Sequence, residues 1–164
     1  MDKIVFITGA SSGIGAGCAR KFASQGASLI LNARNVNKLS ALKEELEKQY
    51  GAKIYLLPFD VRDRKAATSA LESLPKEWQS IDILVNNAGL VIGTDKEQEG
   101  SLDEWDIVID TNIKALLAMT RLIVPGMVER KRGHIINIGS IAGDAAYPGG
   151  SVYCATKAAV KALS

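Results

Sequence analysis

The sequence predicts an α/β domain organised around a doubly wound parallel sheet. Three observations carry that reading. Short apolar runs alternate with amphipathic stretches along all 164 residues. The runs are continuous rather than alternating in polarity, as strands read when helices cover both faces. A glycine-rich segment follows the first run and opens the first helix, where folds of this class bind anionic ligands. Strand–helix–strand order of this kind gives parallel pairing through right-handed crossovers.

The elements follow in order. KIVFIT (3–8) is β-rich and leads through GASSGIG into a helix over 13–25 that stops at Gly26. SLILNA (28–33) is the second strand, and 35–51 is a charged helix closed by Gly51. KIYLLPF (53–59) is the third strand, followed by a helix over about 63–73 that ends before Pro75. IDILVNN (81–87) is the fourth strand. A loop over 88–100 leads to two helices, 101–110 and 112–130. HIINIG (134–139) is the fifth strand, and SVYCATKAAVKALS (151–164) is helical. No repeat, low-complexity segment or linker divides the chain, so residues 1–164 read as a single domain.

Composition narrows the function classes. Twenty basic and 18 acidic residues leave a charge of +2, too even for a nucleic-acid or anionic-membrane partner. No apolar run reaches the roughly 18 residues of a membrane span. The start, MDKIVFITGA, enters a strand directly, which predicts no targeting segment. Cys18 and Cys154 are too few for a disulfide framework and fit a reducing cytoplasm. His134, the only histidine, has no neighbouring cysteine or second histidine, so no metal is expected.

Chemistry-bearing residues cluster after the strands. Gly9, Gly13 and Gly15 in TGASSGIG (8–15) let the backbone turn sharply and approach a ligand closely. The helix N-terminus beyond offers free N–H groups, which suit a pyrophosphate. After the second strand, LNARN (31–35) has no carboxylate for a ribose 2′-hydroxyl. Arg34 stands there instead and suits a 2′-phosphate, which favours NADP over NAD, unless it is a solvated loop charge. Asp60 either accepts from an adenine amino group or caps the helix near 63. NNAG (86–89) either brings backbone close to a cofactor ribose or forms a plain turn.

TGASSGIG at 8–15, DV at 60–61, NNAG at 86–89, Asn112, Ser140 and YCATK at 153–157 together resemble the short-chain dehydrogenase/reductase family. Longer stretches at 74–112 and 132–158 resemble its branch of NADP-dependent 3-hydroxy acid dehydrogenases, which act on serine, allo-threonine and related acids. The resemblance implies a Rossmann-like sheet of seven parallel strands, of which this sequence supplies five, in the order 3-2-1-4-5. It implies NADP binding by Gly9, Ser11, Ser12, Gly13, Ile14, Gly15, Arg34, Asp60, Val61, Asn87, Ala88, Gly89, Tyr153 and Lys157. It implies catalysis by Asn112, Ser140, Tyr153 and Lys157. Matching proteins pair the helix at 112–130 and the tyrosine-bearing helix with their copies, which implies a dimer or a homotetramer. The run KALLAMTRLIVPGMV (114–128) is apolar nearly all round and agrees with a second covered face.

The residues themselves carry a consistent chemistry. Tyr153 and Lys157 are four apart and share a helix face. A free phenol has a pKa of about 10, and a neighbouring ammonium favours the phenolate. Tyr153 then takes a hydroxyl proton as hydride leaves for NADP⁺, or returns it to a carbonyl. Ser140 holds the substrate oxygen or, alternatively, caps a turn. In the resembled family the residue matching Asn112 holds a water linking the lysine to solvent; by itself Asn112 reads as a helix cap. Three functions remain open: an oxidoreductase on a short 3-hydroxy acid or a broader range of carbonyls, an NADP-binding module without turnover, and a fragment with an exposed fifth strand.

Overall fold

A computed structural model describes residues 3–164. Met1 and Asp2, part of the stretch expected to lack a targeting segment, lie outside the described residues. Five strands form one parallel sheet: β1 (Ile4–Ile7), β2 (Ser28–Leu31), β3 (Ile54–Leu56), β4 (Ile81–Asn86) and β5 (His134–Asn137). Their order is β3-β2-β1-β4-β5, as expected. Chain direction across the sheet reverses between the β1–β2 side and the β1–β4 side, so a crevice opens at the C-terminal ends of β1 and β4.

Alternation along each strand divides the core in two. Val5, Ile7, Leu29, Leu31, Ile83 and Val85 pack on α1 (Gly13–Ser24) and α2 (Val36–Tyr50). Phe6, Ile30 and Leu84 face the other way, onto a layer that includes Ala67 of α3 (Arg64–Glu72) and Met119, Ile123 and Met127 of α5 (Leu116–Glu129). All six residues of β4 are buried, as a central strand with two covered faces requires. β5 stands at one edge of the sheet with β4 as its neighbour, and its His134 and Ile135 are exposed.

The helix ends follow local chemistry. Asn35 caps α2 by accepting from Lys38 N–H, and Gly51 closes it in the left-handed conformation at φ 63°. Asp63, not Asp60, caps α3, accepting from Ala66 N–H at 3.0 Å. That corrects the capping alternative for Asp60.

The expected pair of helices after β4 is one continuous rod. α4 (Leu102–Ile109) runs through a π-helical turn at Asp110–Ala115 into α5. Asn112 therefore stands inside a helix rather than capping one. The last helix, α6 (Ser151–Ala162), packs against α4 and the π turn. Among the described residues, no helix is long and apolar enough to cross a membrane.

Leu84 is fully buried in the central strand. Leu84→Ala is expected to lower the unfolding free energy by about 2–5 kcal/mol, read from urea denaturation.

Candidate active site

The crevice at the strand ends is a cleft of about 910 Å³. Gly9, Ser11, Ser12, Gly13, Ile14, Arg34, Asp60, Val61, Asn87, Ala88, Gly89, Tyr153 and Lys157 all line it. Of the residues singled out from sequence, Gly15, Asn112 and Ser140 do not.

The glycine loop is shaped by its neighbours. Gly9 has φ 64°, and a Cβ there would meet Asn87 Nδ2 at 2.9 Å and Ala88 Cα at 3.0 Å. Gly15 sits under the loop rather than in the cleft: a Cβ would collide with the Gly9 carbonyl oxygen. Gly13 has φ 52° and open space where a Cβ would point.

Asn87 holds this loop to β4. Its Nδ2 donates to the carbonyls of Thr8 at 2.9 Å and Gly9 at 3.0 Å. Thr8 reciprocates: its hydroxyl oxygen accepts from Asn87 N–H and Ala88 N–H, each at 3.0 Å. The NNAG segment is thus more than a plain turn, and Thr8 is a partner that the sequence reading passed over.

At one end of the cleft three cations gather. Arg34 is exposed, its nearest carboxylate oxygen being Asp60 Oδ2 at 3.9 Å. Arg62 grips Asp60 at 2.7 Å and adds further bonds from Nε and its backbone N–H. Those bonds hold the Asp60 carboxyl below the usual carboxylate range, with burial opposing them. Lys38 also lines the cleft, from the first turn of α2. The signal for Arg62 and Lys38 was their closeness in sequence to Asp60 and Arg34.

At the other end stand Tyr153 and Lys157. Lys157 is only 8% exposed. Its ammonium donates to the Ile138 carbonyl at 2.8 Å and lies 5.9 Å from the Tyr153 ring centroid. Burial pushes the Lys157 pKa below the ordinary lysine value. Gly143 makes room for the helix here, since a Cβ there would lie 2.7 Å from the Lys157 carbonyl oxygen.

Ser140 begins a short 3₁₀ turn (Ile141–Gly143), and its hydroxyl oxygen accepts from Ala142 N–H at 3.1 Å. The turn-capping alternative therefore describes its observed contact. Asn112 is buried and fully engaged. Its Oδ1 accepts from Leu90 N–H, and its Nδ2 donates to the Leu90 carbonyl, each at 2.9 Å. Among the described residues, no group of three His, Cys, Asp or Glu side chains could hold a metal ion.

A family model described as short chain dehydrogenase matches residues 3–164. The chain belongs to that family. The chain is 50% identical over 161 residues to the NADP-dependent 3-hydroxy acid dehydrogenase YdfG of Escherichia coli K12, covering 98% of this chain and 63% of that protein. The chain thus spans less than two thirds of the length of that curated relative. The crystal structure of serine dehydrogenase from Escherichia coli superposes with a TM-score of 0.92 at 50% identity, covering 98% of this chain and 73% of that one. The closed form of serine dehydrogenase complexed with NADP⁺ gives a TM-score of 0.91 at 48% identity, covering 98% and 63%.

The lowered Lys157 pKa fixes a sign. In the window between its folded and unfolded pKa values, the unfolded chain binds more protons, so stability rises with pH. Below that window the ammonium is buried at a cost; above it the cost is gone. The stability difference between wild type and Lys157→Met is expected to move in favour of wild type as pH rises toward the ordinary lysine range. Denaturant titrations of both proteins at neutral and alkaline pH check this.

Proposed function

We propose that this chain belongs to an NADP-dependent oxidoreductase that interconverts a short 3-hydroxy acid, of the serine or allo-threonine type, and its keto form. One observation carries the reading: Tyr153 and the buried Lys157 line the same cleft as the glycine loop. The names of the 50% identical relative and of the superposed serine dehydrogenases support the substrate class and the cofactor.

The cleft fits a phosphorylated dinucleotide. Gly13 leaves open space at the start of α1, whose backbone N–H groups suit a pyrophosphate. Ser11, Ser12, Ile14 and Gly9 complete that cradle, with Gly15 supporting it from beneath. Arg34 is exposed and held only at 3.9 Å from Asp60, so its guanidinium is available to a 2′-phosphate. Asp60 and Val61 border the adenine end, and Asn87, Ala88 and Gly89 border the ribose next to Tyr153. When bound, NADP accepts or donates the hydride.

The chain's own residues handle the proton. Tyr153 takes it from the substrate hydroxyl or returns it to the carbonyl oxygen. The Lys157 ammonium, anchored on Ile138, stabilises negative charge developing on the phenol oxygen. The Ser140 hydroxyl accepts one bond and has its own proton to offer to the substrate oxygen. Asn112 fixes the Leu90 backbone beside the cleft. A dimer or tetramer fits the exposed apolar Leu117 and Val128 on α5. The lack of disulfides fits a cytoplasmic setting.

A second reading, dinucleotide binding without turnover, is favoured by one observation: Ser140 caps a turn and does not line the cleft. A fluorescence titration with NADPH and NADH in parallel, followed by turnover assays with L-serine and allo-threonine, separates the two. The expected result is saturable NADPH binding with NADH weaker, and turnover; binding alone supports the second reading, and no binding overturns both. Arg34→Ala is expected to weaken NADPH about tenfold and leave NADH unchanged. Tyr153→Phe is expected to cut kcat by about 10²–10⁴ while NADPH still binds.

A further inference from the structure

We propose that Thr156 is a positioning residue for the Tyr153–Lys157 pair, through a buried hydroxyl that ties α6 to the π turn and to the cleft wall at Leu90. The inference rests on the reading of Tyr153 and Lys157 as the proton-transfer pair. Thr156 lies between them in sequence, does not line the cleft, and is 1% exposed.

Its hydroxyl has one proton, donated to the Tyr153 carbonyl at 2.7 Å. Its oxygen accepts from Asn112 Nδ2 at 3.0 Å. The direction of every bond is fixed. Leu90 N–H can only donate, so it takes Asn112 Oδ1 and sets the amide orientation. The two Nδ2 protons then go to the Leu90 carbonyl and to Thr156. The Thr156 proton is left for Tyr153. No donor in this chain is spare, and a change at one end must be absorbed at the other.

The chain of bonds connects three elements that each carry part of the site: the segment after β4, the π turn and α6. It closes tightly around Gly89, where a Cβ would stand 3.2 Å from Asn112 Oδ1 and 3.6 Å from Lys157 Nζ. Without the Thr156 oxygen, one buried Asn112 donor loses its partner, and either the amide turns away from Leu90 or α6 shifts. Both movements change where Tyr153 and Lys157 stand relative to the cleft wall, and neither removes a group that touches a bound dinucleotide.

The test compares Thr156→Val with Thr156→Ser in the full-length protein. Valine keeps the shape and lacks the hydroxyl; serine keeps the hydroxyl. Thr156→Val is expected to lower kcat about tenfold and to displace the pH profile of kcat, with KM for NADPH changed by no more than about twofold. Thr156→Ser is expected to restore most of kcat and the wild-type profile. Hydrogen exchange of residues 88–92 is expected to quicken in the valine variant and not in the serine variant. Equal kcat and pH profiles in wild type and valine variant overturn the proposal, as does equal loss in both variants. If the valine variant does not fold, Thr156→Ala takes its place. If the wild type turns over no hydroxy acid or carbonyl, the functional reading fails by itself, and exchange at 88–92 still decides: quickened in the valine variant alone, it sustains the coupling; unchanged, it overturns it.

Discussion

The amide of Asn87 is the contact on which the rest of the site depends. It joins the ends of β1 and β4, the two strands between which the crevice opens. Parallel strands splay apart at a switch point because their connecting helices leave toward opposite faces. Backbone bonds from Thr8 to Val85 and from Ala10 to Asn32 fix where the glycine loop leaves the sheet. Two bonds from the Asn87 side chain and two back to the Thr8 hydroxyl then cross-link it to the segment after β4. The glycines follow from it: Gly9 and Gly15 must lack side chains because Asn87 and the folded-back loop already occupy the space. In its usual description the loop is made by its glycines. Here the glycines are equally a consequence of an asparagine 72 residues or more away.

The sheet and most of the cleft were legible in the sequence because they rest on local signals. Strand runs, glycine spacing and the Tyr153–Lys157 interval each act within a few residues. What the sequence hid depends on which groups meet across the fold. Asp60 and Asp63 look alike as helix caps, and only the turn geometry gives the cap to Asp63 and leaves Asp60 to Arg62. Asn112 reads as a boundary residue because polar side chains are usual at helix ends. The structure keeps it inside by supplying Leu90 and Thr156 as partners, contacts 22 and 44 residues apart in the chain. The isoleucines of β5 leave open whether it is buried or an exposed edge, and its place in the sheet decides it.

The two ends of the cleft use opposite electrostatic strategies. Around Arg34 and Lys38 the charges sit near water, where pairing is weak and rearrangement is easy, while Arg62 beside them is held on Asp60. Around Lys157 the charge is enclosed, held by one carbonyl, and disfavoured by its surroundings. An exposed cation can adjust to a mobile anionic group. An enclosed one responds strongly to small changes in nearby charge, because little solvent screens it. The fold thus places an exposed group of cations and a buried one along the same cleft.

The π turn at Asp110–Ala115 carries a consequence for how this region tolerates change in length. A π turn advances less per residue than the about 100° of an ordinary α-helix, so its extra residue is taken up within the wide turn and α4 and α5 keep nearly the phase of one regular helix. Deleting one residue there would leave the apolar residues of α5 on the sheet and Val108 of α4 in its place, and the helix would read as more regular. What would change is the turn itself, and Asn112 would leave Leu90. A shorter, more uniform rod is therefore available to this sequence by a single deletion, and it would be a well-formed helix without its buried amide in position. The irregular turn is a local device: it sets one side chain without disturbing the packing surfaces on either side.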